Sequence, residues 1–331
     1  MRVFITGIGG FLGSHLADHF LKAGHYVEGN DTFVGGEAAN IPRGAVFSLV
    51  DCKQTRDMAK KLRDTDVLYH FAALPHEGLS VFSPALICEN VFQASVSMFS
   101  AAIQAGVKRI VFASSMARYG NIPTPYLERY QCRPVDPYGI AKKAAEDVLK
   151  VLAEVHGIEY VIAVPHNIIG PRQKYDDPFR NVASIMLNRL KQGLPPIIYG
   201  DGEQRRCFSP VSDCVDSLAQ MATSKAVVGA TVNIGPDGAG ITINELAQMC
   251  QEIVGGPYLK PMHVQDRPQE VKHALCSSDL ARAMLGYAER TPLRECLEEM
   301  AAAIKPKPFN YHLPLEIISD KTPVTWRERR I

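Results

Sequence analysis

No charge of one sign dominates this sequence. Lys and Arg total 36 against 35 Asp and Glu, so nothing marks a basic footprint for nucleic acid or a polybasic patch for a membrane surface. The eight cysteines (Cys52, Cys88, Cys132, Cys207, Cys214, Cys250, Cys276 and Cys296) include no close pair of the zinc or thioredoxin kind. They read as reduced, mostly core-filling thiols of a cytoplasmic protein, and no metal site is expected. Internal repeats and low-complexity segments are absent, and no apolar run long enough to span a bilayer is expected. The opening "MRVFITGIGG" enters a β-rich run at residue 2, which leaves no room for a basic n-region followed by an apolar signal core. A small-molecule partner is the remaining default.

What is present is alternation. Short runs rich in Val, Ile and Phe ("RVFIT", "YVEGN", "VFSLV", "VLYHFAA", "RIVFASS", "YVIAV") alternate with helical-period stretches at 11–24, near 55–63, at 84–105 and at 138–155. The pattern predicts βαβ units and a parallel sheet buried on both faces, an α/β fold of the Rossmann-type doubly wound kind. After about residue 170 the pattern loosens into "PRQKYDDP", "GLPPIIYGDGEQ" and "NIGPDGAGI". The expected division is a dinucleotide domain over 1–170, with later segments returning to it, and a smaller mixed substrate lobe over 171–304. Residues 305–331 are rich in proline and aromatics and hold the only tryptophan, Trp326. They read as an ordered strap over the body or a neighbour rather than as a disordered tail.

In "FITGIGGFLG", Gly7, Gly10 and Gly13 follow a strand and open a helix, which permits a tight turn and close approach of a pyrophosphate to the helix N-terminus. Their spacing is three and three, where the simple fingerprint has two and three, so the triplet alone is a weak signal. Asp31 ends the second strand where an acidic side chain accepts hydrogen bonds from an adenosine ribose. A carboxylate there repels a 2′-phosphate, which favours NAD over NADP; a solvent-facing turn aspartate is the alternative. Asp51 follows the next strand and could accept from the adenine amino group, or simply start a loop.

"DPYGIAKKAAEDVLK" puts Tyr138 and Lys142 four residues apart on one helix face. A phenol titrating near about 10 is a poor base at neutral pH, and an adjacent ammonium together with a positive nicotinamide ring favours phenolate. Taken alone the pair reads equally well as an exposed helix pair. Ser115, at the end of "VFASS", adds a hydroxyl.

Together these features resemble the extended short-chain dehydrogenase/reductase superfamily, and within it the NAD-dependent nucleotide-sugar epimerase/dehydratase branch, which is UDP-glucose 4-epimerase-like. The likeness runs from residue 2 to about 304 through "TGIGGFLGSHL", "YHFAA", "SSMARYG", "PYGIAK", "NIIGPRQ", "YGDGEQRRCF" and "DRPQEVKH", in that order. The resemblance implies that Tyr138 is the base for a sugar hydroxyl, that Lys142 holds the nicotinamide ribose and lowers the phenol's pKa, and that Ser115 bonds the reacting oxygen. NAD would lie along Gly7, Gly10, Phe11, Leu12, Gly13, Asp31, Asp51, Cys52, Phe71, Ala72, Ala73, Asn90, Tyr138, Lys142 and Pro165. Asn167, Arg206 and Arg267 would grip the nucleotide and diphosphate, and His76, Glu77 and Ser80 sit on the loop that usually faces the sugar. The resemblance also implies a homodimer through the helices near 90–105 and 138–155.

Departures from the family pattern narrow the chemistry. In 4,6-dehydratases an Asp-Glu pair follows the strand-end hydroxyl, and decarboxylating relatives usually keep a glutamate there; here the two positions are Met116 and Ala117. Elimination therefore loses its acid and base, and inversion at carbon 4 through a 4-keto intermediate is the expected reaction. A reductase or dehydrogenase exchanging its cofactor with solution, and a non-catalytic NAD-binding sensor, are the alternatives. Cys207, Gln269 and Glu270 replace residues that relatives commonly carry as aspartate, glycine and aspartate. His166 reads as a packed core histidine. Arg118 is read as either turned outward or reaching a sugar carboxylate or phosphate.

Overall fold

The computed structural model describes residues 1–331. Its first half runs β1 (Arg2–Thr6), α1 (Phe11–Lys22), β2 (Tyr26–Asn30), β3 (Val46–Ser48), α2 (Thr55–Lys61) and β4 (Val67–His70). It continues with α3 (Glu77–Ser80), α4 (Pro84–Cys88), α5 (Ala94–Ala105), β5 (Arg109–Ala113), α6 (Pro137–His156) and β6 (Glu159–Pro165). Then come β7 (Ile168–Ile169), α7 (Val182–Lys191), β8 (Ile197–Tyr199), β9 (Arg205–Arg206), β10 (Ser209–Pro210), α8 (Val211–Gln220) and β11 (Thr231–Ile234). The chain finishes with β12 (Ile241–Thr242), α9 (Ile243–Val254), β13 (Met262–Val264), β14 (His273–Ala274), α10 (Asp279–Leu285), α11 (Leu293–Ala303) and α12 (Val324–Arg327).

Seven parallel strands form one sheet in the order β3-β2-β1-β4-β5-β6-β11. The strand order reverses between β1 and β4, and the loops leaving their carboxyl ends open a crevice, the place where doubly wound sheets bind ligands. Alternate residues feed the two faces. Val3 and Ile5 pack with Leu16, Phe20 and Leu218, while Phe4 packs on the other side with Met58, Met98 and Phe99. Burial on both faces is why these strands read as unbroken apolar runs.

The later half does not separate cleanly at residue 170. Strand β11 pairs with β6, and α8 packs on α1, so these segments return to the sheet body. Helices α7, α9 and α11 form the smaller lobe around Met186, Leu187, Leu246 and Leu297. Short ladders, β8 with β13 and β9 between β12 and β14, complete it.

The segment 84–105 corrects two expectations. It is interrupted by a π turn over Glu89–Gln93, where the Ala94 N–H reaches back to the Glu89 carbonyl. By length and composition Pro84–Ala105 is also apolar enough to cross a membrane, contrary to the expectation that no run is long enough. Its apolar residues serve the interior instead: Ile87, Val91, Met98 and Phe99 are fully buried, and α5 packs between α2 and α6.

Residues 305–331 lie over the body of the same chain. The Asn310 N–H donates to Asp176 O at 2.7 Å, and the Glu316 carboxylate accepts from Ala85 N (2.9 Å) and Leu86 N (2.8 Å) at the start of α4. Trp326 is buried edge-on to Phe179 and Phe82, with centroids 5.1 and 5.9 Å away, and Tyr199 Oη pairs with Thr325 Oγ1 at 2.7 Å. The strap thus ties the sheet body to the smaller lobe.

Candidate active site

The turn after β1 can be built only from glycine at its tightest points. Gly7 has φ +72°, and a Cβ on Gly13 would stand 2.3 Å from Gly7 O. Helix α1 starts at Gly10 with no side-chain cap, so its first N–H groups face the crevice. Asp31 closes β2 behind them: Oδ2 accepts from Gly9 N at 3.0 Å and Oδ1 from Phe33 N at 2.7 Å. Burial raises its pKa against the pull of these bonds. Thr6 Oγ1 accepts from Phe71 N and Ala72 N, both at 3.0 Å, which joins the loops after β1 and β4.

A single cleft of about 470 Å³ collects the expected cofactor positions. Gly7, Gly10, Phe11, Leu12, Gly13, Asp31, Asp51, Cys52, Phe71, Ala72, Ala73, Asn90 and Pro165 line it, together with Ser115, Tyr138, Lys142, Asn167, Arg206 and Arg267. Asn90 is carried there by the π turn, with Nδ2 donating to Leu86 O at 2.8 Å and Oδ1 accepting from Lys53 at 3.3 Å. A turn too tight to admit a side chain at Gly13, an uncapped helix N-terminus and a carboxylate at the end of β2 fit a dinucleotide.

Helix α6 opens with Asp136 as N-cap, its Oδ1 accepting from Gly139 N at 2.9 Å, and Pro137 at the first helical position. One turn then sets Tyr138 and Lys142 side by side, and both are buried. Burial pushes the Tyr138 phenol above its ordinary value; the Ser115 hydrogen bond and the Arg180 charge oppose this, while Glu77 and Asp136 reinforce it. Burial also pushes the Lys142 ammonium down to about 7, with Glu146 opposing. Its Nζ donates to Ala113 O at 2.7 Å and lies 4.9 Å from the Phe112 ring centroid. Ser115 caps the short turn Met116–Arg118, with Oγ accepting from Ala117 N at 3.2 Å. Met116 and Ala117 are buried and do not line the cleft.

Three sequence-based placements are corrected. His76 does not face the sugar region: it is buried with Nε2 2.8 Å from Asp177 Oδ2, in the wall behind the cleft. Ser80 lies behind the wall too, its Oγ donating to Glu77 O (2.6 Å) and Asp136 Oδ1 (3.3 Å). The residue of that loop that does line the cleft is Glu77. Arg118 goes neither outward nor to a ligand. It is buried, its Nε 2.7 Å from Glu146 Oε1 and its Nη2 donating to Oε2 at 2.8 Å.

Arg206 and Arg267 line the cleft with most of their donors already engaged. Arg206 donates to the carbonyls of Arg205 (2.9 Å), Lys272 (3.0 Å) and Val271 (2.6 Å). Arg267 Nε donates to Glu270 Oε2 at 3.0 Å, Nη2 lies 3.0 Å from Oε1, and the guanidinium stacks 4.7 Å over Tyr199. The unusual Glu270 also lies 3.5 Å from Arg206 Nη2, so it holds both arginines. Asn167 adopts φ +39° and donates to Cys207 O at 3.1 Å. His166 is a buried core histidine, and burial lowers it to about 4.

Arg180 and Asp136 also line the cleft and were not singled out in the sequence. Arg180 sits in "DDPFRN", where no spacing or motif marks it. Asp136 carries the ordinary signal of an N-cap, which conceals that its second oxygen is free.

Comparison with known proteins agrees with this geometry. The family model described as "NAD dependent epimerase/dehydratase family" matches residues 3–235. The chain is 29% identical over 311 residues to the uncharacterized UDP-glucose epimerase YtcB of Bacillus subtilis (strain 168), covering 90% of this chain and 96% of that protein. It superposes on the crystal structure of UDP-glucose 4-epimerase with UDP-glucose from Thermotoga maritima with a TM-score of 0.85 and 29% identity, covering 92% and 98% of the two chains. It is also 32% identical over 259 residues to a UDP-N-acetyl-alpha-D-glucosaminuronate decarboxylase of Bacillus cytotoxicus, covering 75% of this chain and 78% of that one. The relatives therefore differ in the reaction that follows the shared fold.

Proposed function

The chain belongs to the NAD-dependent epimerase/dehydratase family, and from that premise we propose that it inverts carbon 4 of a nucleotide-linked hexose through a transient 4-keto sugar. One observation carries this reading. Ser115, Tyr138 and Lys142 line one cleft, while the two positions after Ser115 are Met116 and Ala117, which transfer no proton.

Tyr138 Oη takes the proton of the carbon-4 hydroxyl, and Ser115 Oγ holds the same oxygen. NAD, bound along the glycine turn, Asp31 and Phe71–Ala73, supplies hydride acceptance and return. Tyr138 restores the proton when the ketone is reduced on its other face. Arg206 and Arg267 hold the diphosphate meanwhile, and the phosphate oxygens compete with Glu270 for Arg267. The UDP-glucose epimerase relatives make UDP-hexoses the first substrates to try.

A panel of UDP-, dTDP- and GDP-hexoses resolved by chromatography tests the reading. Purified protein is expected to interconvert one pair of carbon-4 epimers with no added cofactor. A 4-keto-6-deoxy product, or steady consumption of added NADH, would overturn it.

The same reading includes a homodimer through α6. Ile140, Val151 and Val155 lie on one face of that helix and are 52%, 59% and 69% exposed, an apolar stripe that a second copy would cover. Light scattering of the purified protein decides between one copy and two.

A further inference from the structure

The cleft contains carboxyl groups that inversion at carbon 4 does not use. Glu77 opens α3 and lines the cleft, and its carboxylate has no hydrogen-bond or ion-pair partner in the protein. Glu77 is exposed to solvent where it lines the cleft. Asp136, 3% exposed, has its Oδ2 buried without a partner while Oδ1 accepts from Gly139 N and Ser80 Oγ. A buried carboxylate oxygen such as Asp136 Oδ2 is costly to leave unpaired, and the exposed Glu77 carboxylate nearby is free to meet a ligand in the cleft.

Their position is bracketed by the two anchors of the substrate. On one side α3 packs on α6, and Ser80 ties α3 to the Asp136 cap beside Tyr138. On the other, a Cβ at Gly78 would meet Arg267 Nη1 at 3.2 Å. Glu77 therefore stands between the phenol, where carbon 4 reacts, and the arginine that would hold the diphosphate on carbon 1. A hexose ring spanning those anchors presents one of its edges there, with carbon 3 or carbon 5 on it. Both carbons neighbour carbon 4, and their hydrogens become acidic once carbon 4 is a ketone.

We propose that Glu77 is a general base and acid for the hydrogen on a carbon adjacent to carbon 4 while the sugar is in its 4-keto form. The carboxylate removes the C–H proton, and the bonding pair becomes a carbon–carbon double bond. The ketone oxygen takes up the negative charge beside Ser115 and Tyr138. Return of a proton to the same carbon restores the ketone, and the hydride then returns to carbon 4. Nothing is oxidised or reduced in the exchange itself. Desolvation by the cleft walls around this solvent-facing residue and the neighbouring Asp136 charge push the Glu77 carboxyl upward, against Arg206 and Arg267, the direction that suits a group that must both take and give a proton near neutral pH. The proposal supplies from α3 the proton-transfer capacity that Met116 and Ala117 lack, and it rests on the 4-keto reading above.

The experiment is turnover in D₂O of the UDP-, dTDP- and GDP-hexose panel, with recovered sugars read by NMR and mass spectrometry. Hydrogen at carbon 4 is expected to persist, because the hydride carries it, while deuterium enters carbon 3 or carbon 5. Deuterium gained per carbon-4 inversion is expected to fall at least tenfold in Glu77→Gln and less in Glu77→Asp. Carbon-4 interconversion by the wild type with no deuterium at either carbon would overturn this inference alone, as would an unchanged ratio in both variants. Absence of carbon-4 interconversion across the panel overturns the functional reading, and this inference with it.

Discussion

Arg118 and Glu146 form a buried ion pair one helical turn beyond Lys142, with side chains 4% and 0% exposed and Nε 2.7 Å from Oε1. Glu146 also accepts from Ser114 Oγ, so the strand-end turn and the catalytic helix are joined through this carboxylate. Removing one charge strands the other. Arg118→Met is expected to cost about 3–5 kcal/mol, and the double variant Arg118→Met, Glu146→Met to recover much of that. Urea unfolding followed by circular dichroism measures both; a single variant as stable as the wild type would show that the pair contributes nothing.

Lys142 gives the fold a pH signature. Burial lowers its folded pKa from the ordinary lysine value to about 7, so between pH 7 and the unfolded value of about 10.4 the unfolded chain binds more protons. Its contribution to stability therefore rises with pH across that window. Lys142→Met is expected to be the more stable protein at pH 7, with its advantage shrinking by up to about 1.4 kcal/mol per pH unit toward pH 10. Parallel unfolding curves at pH 7, 8, 9 and 10 check the slope, and a constant difference would contradict it.

Tyr138→Phe keeps the buried ring and removes the proton acceptor. A fall in kcat of about 10²–10⁴ is expected, with melting temperature and bound NAD retained. Substrate turnover at the wild-type rate would remove Tyr138 from the proposed chemistry.

Trp326→Ala opens a hole between Phe82, Phe179 and Tyr199. Truncation of a buried aromatic costs about 3–5 kcal/mol. Because Phe179 and Tyr199 also line the cleft, KM is expected to rise more than kcat falls. Thermal unfolding and steady-state kinetics separate the effects, and a variant with unchanged KM would mean the strap does not shape the cleft.

The sheet was legible because its strands are buried on both faces and so appear as uninterrupted β-branched and aromatic runs. The glycine turn was legible for a related reason: at Gly13 the 2.3 Å approach to Gly7 O admits no side chain, and such a constraint leaves a visible residue choice. Other placements depended on quantities that a linear pattern does not carry. At the start of α3 the tertiary partners decide between wall and cleft: Asp177 holds His76 and Asp136 holds Ser80 in the wall, while Glu77 lines the cleft. Arg118 finds its partner 28 residues along the chain, and Arg180 reaches the cleft only because the smaller lobe closes over the sheet edge. Glu270, noted as a departure, became intelligible once its two arginines were seen together.

The π turn at Glu89–Gln93 works as a phase shifter. Its one surplus residue offsets the two halves of a continuous helical segment by about 100° relative to an unbroken α-helix. The downstream half can therefore keep Met98 and Phe99 in the core while the upstream half aims Asn90 at the cleft and offers its N-terminus to Glu316 of the strap. Deleting a single residue there would leave every side chain chemically intact and rotate one half out of step with the other. Cofactor cleft and strap are thus timed to each other by one residue of helix.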